Sequence, residues 1–179
     1  MKLIKVTTYS GLQFDVRRAD PDDGPLLVEF WRHVSRVNLA TRYTGMDDPT
    51  HPNHAESEFG YKNDSKTSLL AFDGEGAIIA VASLVAESDD GAARIIVSTR
   101  DDVMSHGISW ALLEQMLSEA QKRGLSAATS VFSAEDVRAI QLERKMGFVE
   151  TDYPGNDHLR ILHWTFVHPA EPAASGTGA

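Results

Sequence analysis

The stretch ARIIVSTRDDVMSHGISWALLEQMLSEAQKRG, residues 93–124, decides how the rest of the chain is read. It starts as a β-branched strand over Ala93–Arg100, breaks at Asp101-Asp102, and crosses a loop holding one glycine, Gly107. A long amphipathic helix follows, with Ile108, Ala111, Leu112, Met116, Leu117 and Ala120 on one stripe. Lys122 and Arg123 suit the negative end of that helix, and Gly124 is placed to terminate it. This order sets the positive end of a helix beside the end of a strand. The first amides of a helix have no intrahelical acceptor, so the loop between them is a natural anion site.

Upstream, Leu3–Thr8 and Leu12–Arg18 alternate apolar and polar residues around Tyr9-Ser10-Gly11, as a hairpin or as a lead-in to a first strand. Asp20 is the expected N-cap of a helix with Pro21 at its first position, running to about Ser35. Leu26, Leu27, Phe30, Trp31 and Val34 would form its apolar face. Val37–Gly45 is ambiguous, Asp47–Pro52 is turn-rich, and Asn53–Glu56 has the form of a capping box for a short helix. Ser68–Asp73, Ala77–Val85 and Ala93–Arg100 then form an expected antiparallel meander. Its central strand is apolar almost throughout, which fits a strand covered on both faces.

Downstream, Ala127–Phe132 reads as a strand and Ser133–Asp136 as a capped start to a helix ending near Met146. Phe148–Thr151 and Leu159–Val167 read as strands around a turn at Pro154–Asp157. The expected fold is a mixed α/β (α+β) domain over 1–168: a mainly antiparallel central sheet flanked by helices. Only the helix-crossed step from Ala93–Arg100 to Ala127–Phe132 needs parallel strands. Residues 169–179, rich in Pro, Ala, Ser and Gly, are expected to be a disordered tail.

The chain has 179 residues, no cysteine and a formal charge of −9. Thiolate chemistry and disulfides are excluded, and general nucleic-acid binding is disfavoured because it draws on Lys and Arg. No apolar run approaches the ~20 residues that span a membrane, and the opening lacks a signal peptide's apolar core, so a cytoplasmic protein is expected. His51 and His54, with Glu56 or Glu58, read as polar residues around a helix start, and no metal is expected. Backbone amides can bind an anion whatever the net charge, and the expected anion at the 104–109 loop is a coenzyme pyrophosphate. The acidity fits a basic acceptor such as an amine, though solubility alone is the plainer reading of it.

Two segments carry a family likeness. Asp101–Leu113, DDVMSHGISWALL, resembles the coenzyme loop and helix of the GNAT superfamily of N-acetyltransferases, and Ser133–Phe148, SAEDVRAIQLERKMGF, resembles its later helix and Gly-Phe ending. VRRADPDDGPLLVEF, VSRVNLATRYTG and YKNDSKTSLLAF are most similar to the catalytic domain of bacterial protein-lysine acetyltransferases. The resemblance implies the GNAT fold, acetyl-CoA or another acyl-CoA as cosubstrate, no metal, and direct transfer to a protein lysine or small-molecule amine. A monomer or homodimer is expected. It gives Val97, Ser98 and Thr99 to the pantetheine arm, Met104, Ser105, His106, Gly107, Ile108 and Ser109 to the pyrophosphate, and Trp110 to the helix start beside it. It also gives Ser133 and Asp136 to the end of the neighbouring strand, close to the coenzyme, with Asp136 among the coenzyme-binding residues.

The chain also departs from the family pattern. The usual loop, Gln/Arg-x-x-Gly-x-Gly/Ala, keeps only Gly107 as glycine. Arg94 stands where the lysine acetyltransferases carry a catalytic glutamate, and arginine cannot act as a base. It could bind an acidic acceptor, or pair with Glu87 or Asp89. Asp136 replaces an asparagine, and Glu143 replaces the tyrosine that other branches use as general acid. These two are the catalytic candidates, against plain roles as a helix N-terminal carboxylate and a helix-surface glutamate. His106 is either a phosphate donor or an exposed loop residue, and Trp110 either packs or stacks. A catalytically reduced module that binds acyl-CoA or a protein partner is the second reading.

Overall fold

The computed structural model describes residues 3–35, 66–86 and 91–167. Eight strands form one sheet in the order β1-β2-β3-β4-β5-β6-β8-β7. They are β1 (Ile4–Thr7), β2 (Gln13–Arg18), β3 (Lys66–Phe72), β4 (Ile78–Ala86), β5 (Ala92–Thr99), β6 (Ala127–Ser133), β7 (Val149–Tyr153) and β8 (Asn156–Thr165). The helices are α1 (Gly24–Trp31), α2 (Ile108–Lys122) and α3 (Val137–Met146). Every strand pair is antiparallel except β5–β6, whose connection through α2 is long enough for a parallel crossover. This is the mixed, mainly antiparallel sheet expected from the sequence. The alternation at residues 3–18 resolves as a hairpin, with Ile4 opposite Val16 and Thr7 opposite Gln13.

The helices divide between the two faces of the sheet. Leu27, Phe30, Trp31 and Val34 pack with Leu70, Phe72, Ile78 and Val81 on one side. The stripe of α2 and Ile140 of α3 pack with Phe14, Val16, Ala82, Leu84, Ala93 and Ile95 on the other. The β4 strand lies between them and is buried from Ile78 to Leu84. A bulge opposite Phe72 lets Ile79 and Ala80 face the same way.

Two helices are shorter than the sequence pattern suggests. Pro25 has no N–H to donate to the carbonyl four residues back, so Pro21–Asp23 tightens into a 3₁₀ turn and α1 starts at Gly24. Asp20 still caps this entry, reciprocally with Asp23. Leu26 is 41% exposed and is not part of the buried face. Asp23 is buried in a two-pronged ion pair with Arg17 (2.5 and 2.6 Å), and the Arg17 guanidinium lies 4.5 Å from the Phe72 ring centre. Burial pushes the Asp23 carboxyl up, but the Arg17 hydrogen bonds and charge and the Asp20 amide hold it below its ordinary value. In α3 the helix begins at Val137, because Ser133 extends β6 and the cap falls on Asp136. The last hairpin is also tighter, with Tyr153 opposite Asn156 across Pro154-Gly155.

Candidate coenzyme cleft

Parallel pairing between β5 and β6 covers only Ala92–Arg94 against Ala127–Thr129. Beyond that point the strands diverge: β5 stays paired to β4 as far as Thr99, and β6 stays paired to β8 as far as Ser133. The opening is a cleft of about 840 Å³ lined by Val97 and Thr99 of β5, Phe132 of β6, Ser109, Trp110 and Leu113 of α2, and the Asp136–Lys145 side of α3. That volume lies within the ~300–1,000 Å³ typical of small-molecule sites.

The loop 104–107 leads into α2 at one end of this cleft. Gly107 is the N-cap in the left-handed region (φ 84°), and no side chain caps the helix. The first loop-to-helix bond is Ala111 N–H to the Gly107 carbonyl at 3.1 Å. The amides of Ile108, Ser109 and Trp110 therefore have no intrahelical acceptor, and the dipole places partial positive charge there. Met104, Ser105, Ser109 and Trp110 line the cleft beside them. The Ser109 hydroxyl is 2.8 Å from that of Thr99, tying the helix start to β5. Ser109 is helical and needs no glycine-like freedom, whereas Ser105 has φ 73°. A non-glycine residue there costs about 1 kcal/mol. The loop's strain thus sits at Ser105, two residues before its glycine.

Glu143 lies on α3 and is 3% exposed, so it is not a helix-surface glutamate. It lines the cleft, and burial pushes its carboxyl up to about 8. The Ser130 hydroxyl on β6 is near enough to pull that value partly back, but not in hydrogen-bond geometry. Among the described residues neither Ser130 Oγ nor Glu143 Oε2 has a partner. Each such orphan costs about 1–3 kcal/mol, and the one on Glu143, which lines the cleft, marks a place for a water or ligand group. At neutral pH Glu143 is mainly a neutral acid, and so a proton donor.

The other predicted residues are placed as follows. Asp136 lines the cleft, and its Oδ1 accepts from the Ala139 amide at 3.3 Å as a helix cap. Trp110 also lines it, with its indole N–H donating to Glu114 at 2.8 Å. Ile108 is buried in the core, so only its backbone is available to the loop. The His106 Nδ1 is 3.1 and 3.0 Å from the Val103 and Met104 carbonyls, which can only accept, so the ring is turned onto its own loop. Ala93 and Ile95 belong to the α2 side of the core. By strand alternation Arg94, Ile96 and Ser98 point to the opposite face, away from the cleft. The proposed partners of Arg94, Glu87 and Asp89, lie outside the described residues, as do His51, His54, Glu56, Glu58 and the 169–179 tail. Among the described residues no group of three or more His, Cys, Asp or Glu is arranged to hold a metal, and no helix is long and apolar enough to cross a membrane.

Sequence reasoning missed Tyr9, which reaches the cleft from the β1–β2 turn, and Arg138 and Leu142 on α3. Arg138 and Leu142 form an i,i+4 pair on the stripe next to that of Glu143, whose own i,i+4 neighbour in the lining is Ala139. Tyr9 had no such signal, since its contact with the 104–107 loop spans more than half the chain.

No family model matches the chain, and no curated protein matches it. Solved structures do. The GNAT domain of the S. lividans PAT is 19% identical and superposes with a TM-score of 0.78 over 92% of this chain and 97% of that one. The ribosomal-protein-S5-alanine acetyltransferase from Vibrio fischeri is 13% identical, with a TM-score of 0.70 over 90% and 96%. The PaiA N-acetyltransferase from Thermoplasma acidophilum, solved with coenzyme A, is 15% identical, with a TM-score of 0.63 over 87% and 100%. At these identities the likeness is one of fold, and it agrees with the splayed strands and the loop-to-helix geometry. The chain has the GNAT N-acetyltransferase fold.

Proposed function

We propose that the protein is an acyl-CoA-dependent N-acyltransferase, moving an acetyl group from acetyl-CoA to a protein lysine or small-molecule amine by direct attack. The observation that carries this reading is the end of β5–β6 pairing at Arg94–Thr129, which opens a cleft running from Glu143 to the uncapped start of α2. The amides of Ile108, Ser109 and Trp110 suit a pyrophosphate, and the diverging edge of β5 at Val97–Thr99 suits an extended amide-bearing arm. A solved neighbour with coenzyme A bound supports the ligand class.

Bound acyl-CoA supplies a thioester carbon open to attack by an amine, with the thiol as leaving group. Glu143 holds a proton at the buried end of the cleft, where it can pass to the departing sulfur. An ionised carboxylate there would repel a thiolate, so the burial that keeps Glu143 neutral also makes it useful. Arg94 cannot take the acceptor's proton and faces away from the cleft, so the amine must arrive neutral or lose its proton to water. Asp136 is held as a helix cap and positions the start of α3.

Ser109→Glu tests the binding half of this reading. Glutamate at the second position of a helix favours the helix, so the fold should hold. Its charge stands where a phosphate would sit, and calorimetry should show CoA affinity at least about tenfold weaker, the loss of one charge-assisted hydrogen bond. Unchanged affinity would place the coenzyme elsewhere. Thiol release from acetyl-CoA in the presence of a panel of amines and lysine peptides tests the transfer half.

A further inference from the structure

Tyr9 is 78% exposed, a large aromatic ring presented to solvent at the tip of the β1–β2 hairpin. The tip is tied in place. Thr8 and Ser10 hydroxyls are 2.8 Å apart, the Leu12 amide donates to Thr8 Oγ1 at 3.2 Å, and Ser10 Oγ donates to the His106 carbonyl at 2.8 Å. The last bond straps the hairpin to the loop before α2. Against that strap the Tyr9 ring lies directly on Gly107: a Cβ built on this glycine would meet ring carbons at 2.6 and 2.9 Å. One edge of the ring is therefore fixed on the loop, while the ring also lines the cleft with Met104, Ser105 and Trp110.

Folding alone does not account for an exposed ring held this firmly, because exposure forfeits most of what burying an aromatic would contribute. Its position suits a ligand. With a pyrophosphate on the 108–110 amides and the pantetheine arm running inward along Val97–Thr99, the other end of the coenzyme must leave on the outer side of the loop. Tyr9 stands there. We propose that Tyr9 is a coenzyme-recognition residue whose ring takes the adenine of the acyl-CoA by stacking, with the Ser10–His106 bond positioning it. This rests on the coenzyme reading above.

The test compares wild type, Tyr9→Ala and Tyr9→Phe by calorimetric titration with CoA, together with NOE measurements on the wild-type complex. Base–aromatic stacking predicts about tenfold weaker CoA binding in Tyr9→Ala and little change in Tyr9→Phe, which keeps the ring. It also predicts NOEs from adenine H2 or H8 to the Tyr9 ring protons. Affinity within twofold of wild type in Tyr9→Ala, or ring NOEs only to the pantetheine arm, would overturn the assignment. If Tyr9→Ala fails to fold, the NOEs and Tyr9→Phe decide: adenine NOEs with a full-affinity phenylalanine variant support stacking, and their absence refutes it. Wild-type protein that binds no CoA at millimolar concentration overturns the coenzyme reading itself, a result distinct from CoA binding that ignores Tyr9.

Discussion

Replacing Glu143 by glutamine should change how stability depends on pH, by an amount the structure lets one work out. Burial raises the Glu143 carboxyl from its ordinary 4.5 to about 8. A carboxyl raised in this way makes the native state the tighter proton binder. Its contribution is fully present below about pH 4.5 and is lost as pH rises, until the native carboxyl itself ionises near 8. At ~1.36 kcal/mol per pH unit the interval corresponds to a ceiling of about 5 kcal/mol. Glutamine has a similar shape and cannot ionise, so the variant lacks this slope. Its second amide N–H, placed beside Ser130, adds an offset of about 1–2 kcal/mol that does not vary with pH. Urea unfolding of both proteins from pH 5 to 9 should show the variant gaining on wild type by ~1 kcal/mol per pH unit up to about 8, then levelling off. Parallel curves across that range would refute the buried, neutral carboxyl, and with it the proton donor proposed for transfer.

Three further outcomes follow from the geometry. Ser105→Gly relieves a left-handed backbone worth about 1 kcal/mol and gives back roughly half of it in chain entropy, for a net gain of about 0.5 kcal/mol and a melting temperature about 1–2 °C higher; a lower one would contradict the strain. Arg17→Ala leaves Asp23 buried without its partner and should cost about 3 kcal/mol in urea unfolding at pH 7; a loss under 1 kcal/mol would show that the pair is too hydrated to matter. Ser109→Glu should weaken CoA binding at least about tenfold with the melting temperature nearly unchanged, and a large fall in melting temperature would mean that the Thr99 bond, not the phosphate site, had been tested.

The parts of the fold legible in the sequence are those with a local period. The α2 stripe, the doubly covered β4 strand and the two-sided start of the meander follow from residues a few positions apart, and the structure has them at nearly the expected bounds. Caps could be read as well: Asp20, Gly124 and Gly147 terminate elements as their chemistry suggests. Failures came where tertiary contacts decide. Leu26 fits the helical period of α1 but is exposed, because the two prolines tighten the entry and shift the buried face. Glu143 has a surface residue's neighbours in Arg144 and Lys145, and only its packing toward β6 shows that it is buried. Set against the motif, Ser105 and Ser109 both lack glycine's freedom, and only the folded loop shows that the positive φ falls on Ser105. Tyr9 and the Ser10–His106 strap join elements 96 residues apart, which no window along the chain can show. The insertion of β8 between β6 and β7 is another choice that strand patterning leaves open.

The central claim is that the 104–110 loop and the diverging edge of β5 hold the coenzyme. An amide-resolved NMR titration of the isotopically labelled protein with CoA tests this most directly. The largest saturable shifts should fall on the amides of Ser105–Trp110 and Val97–Thr99, with smaller ones along α3 at Arg138–Glu143. No saturable shifts at millimolar CoA, or shifts confined to another face of the sheet, would contradict the account.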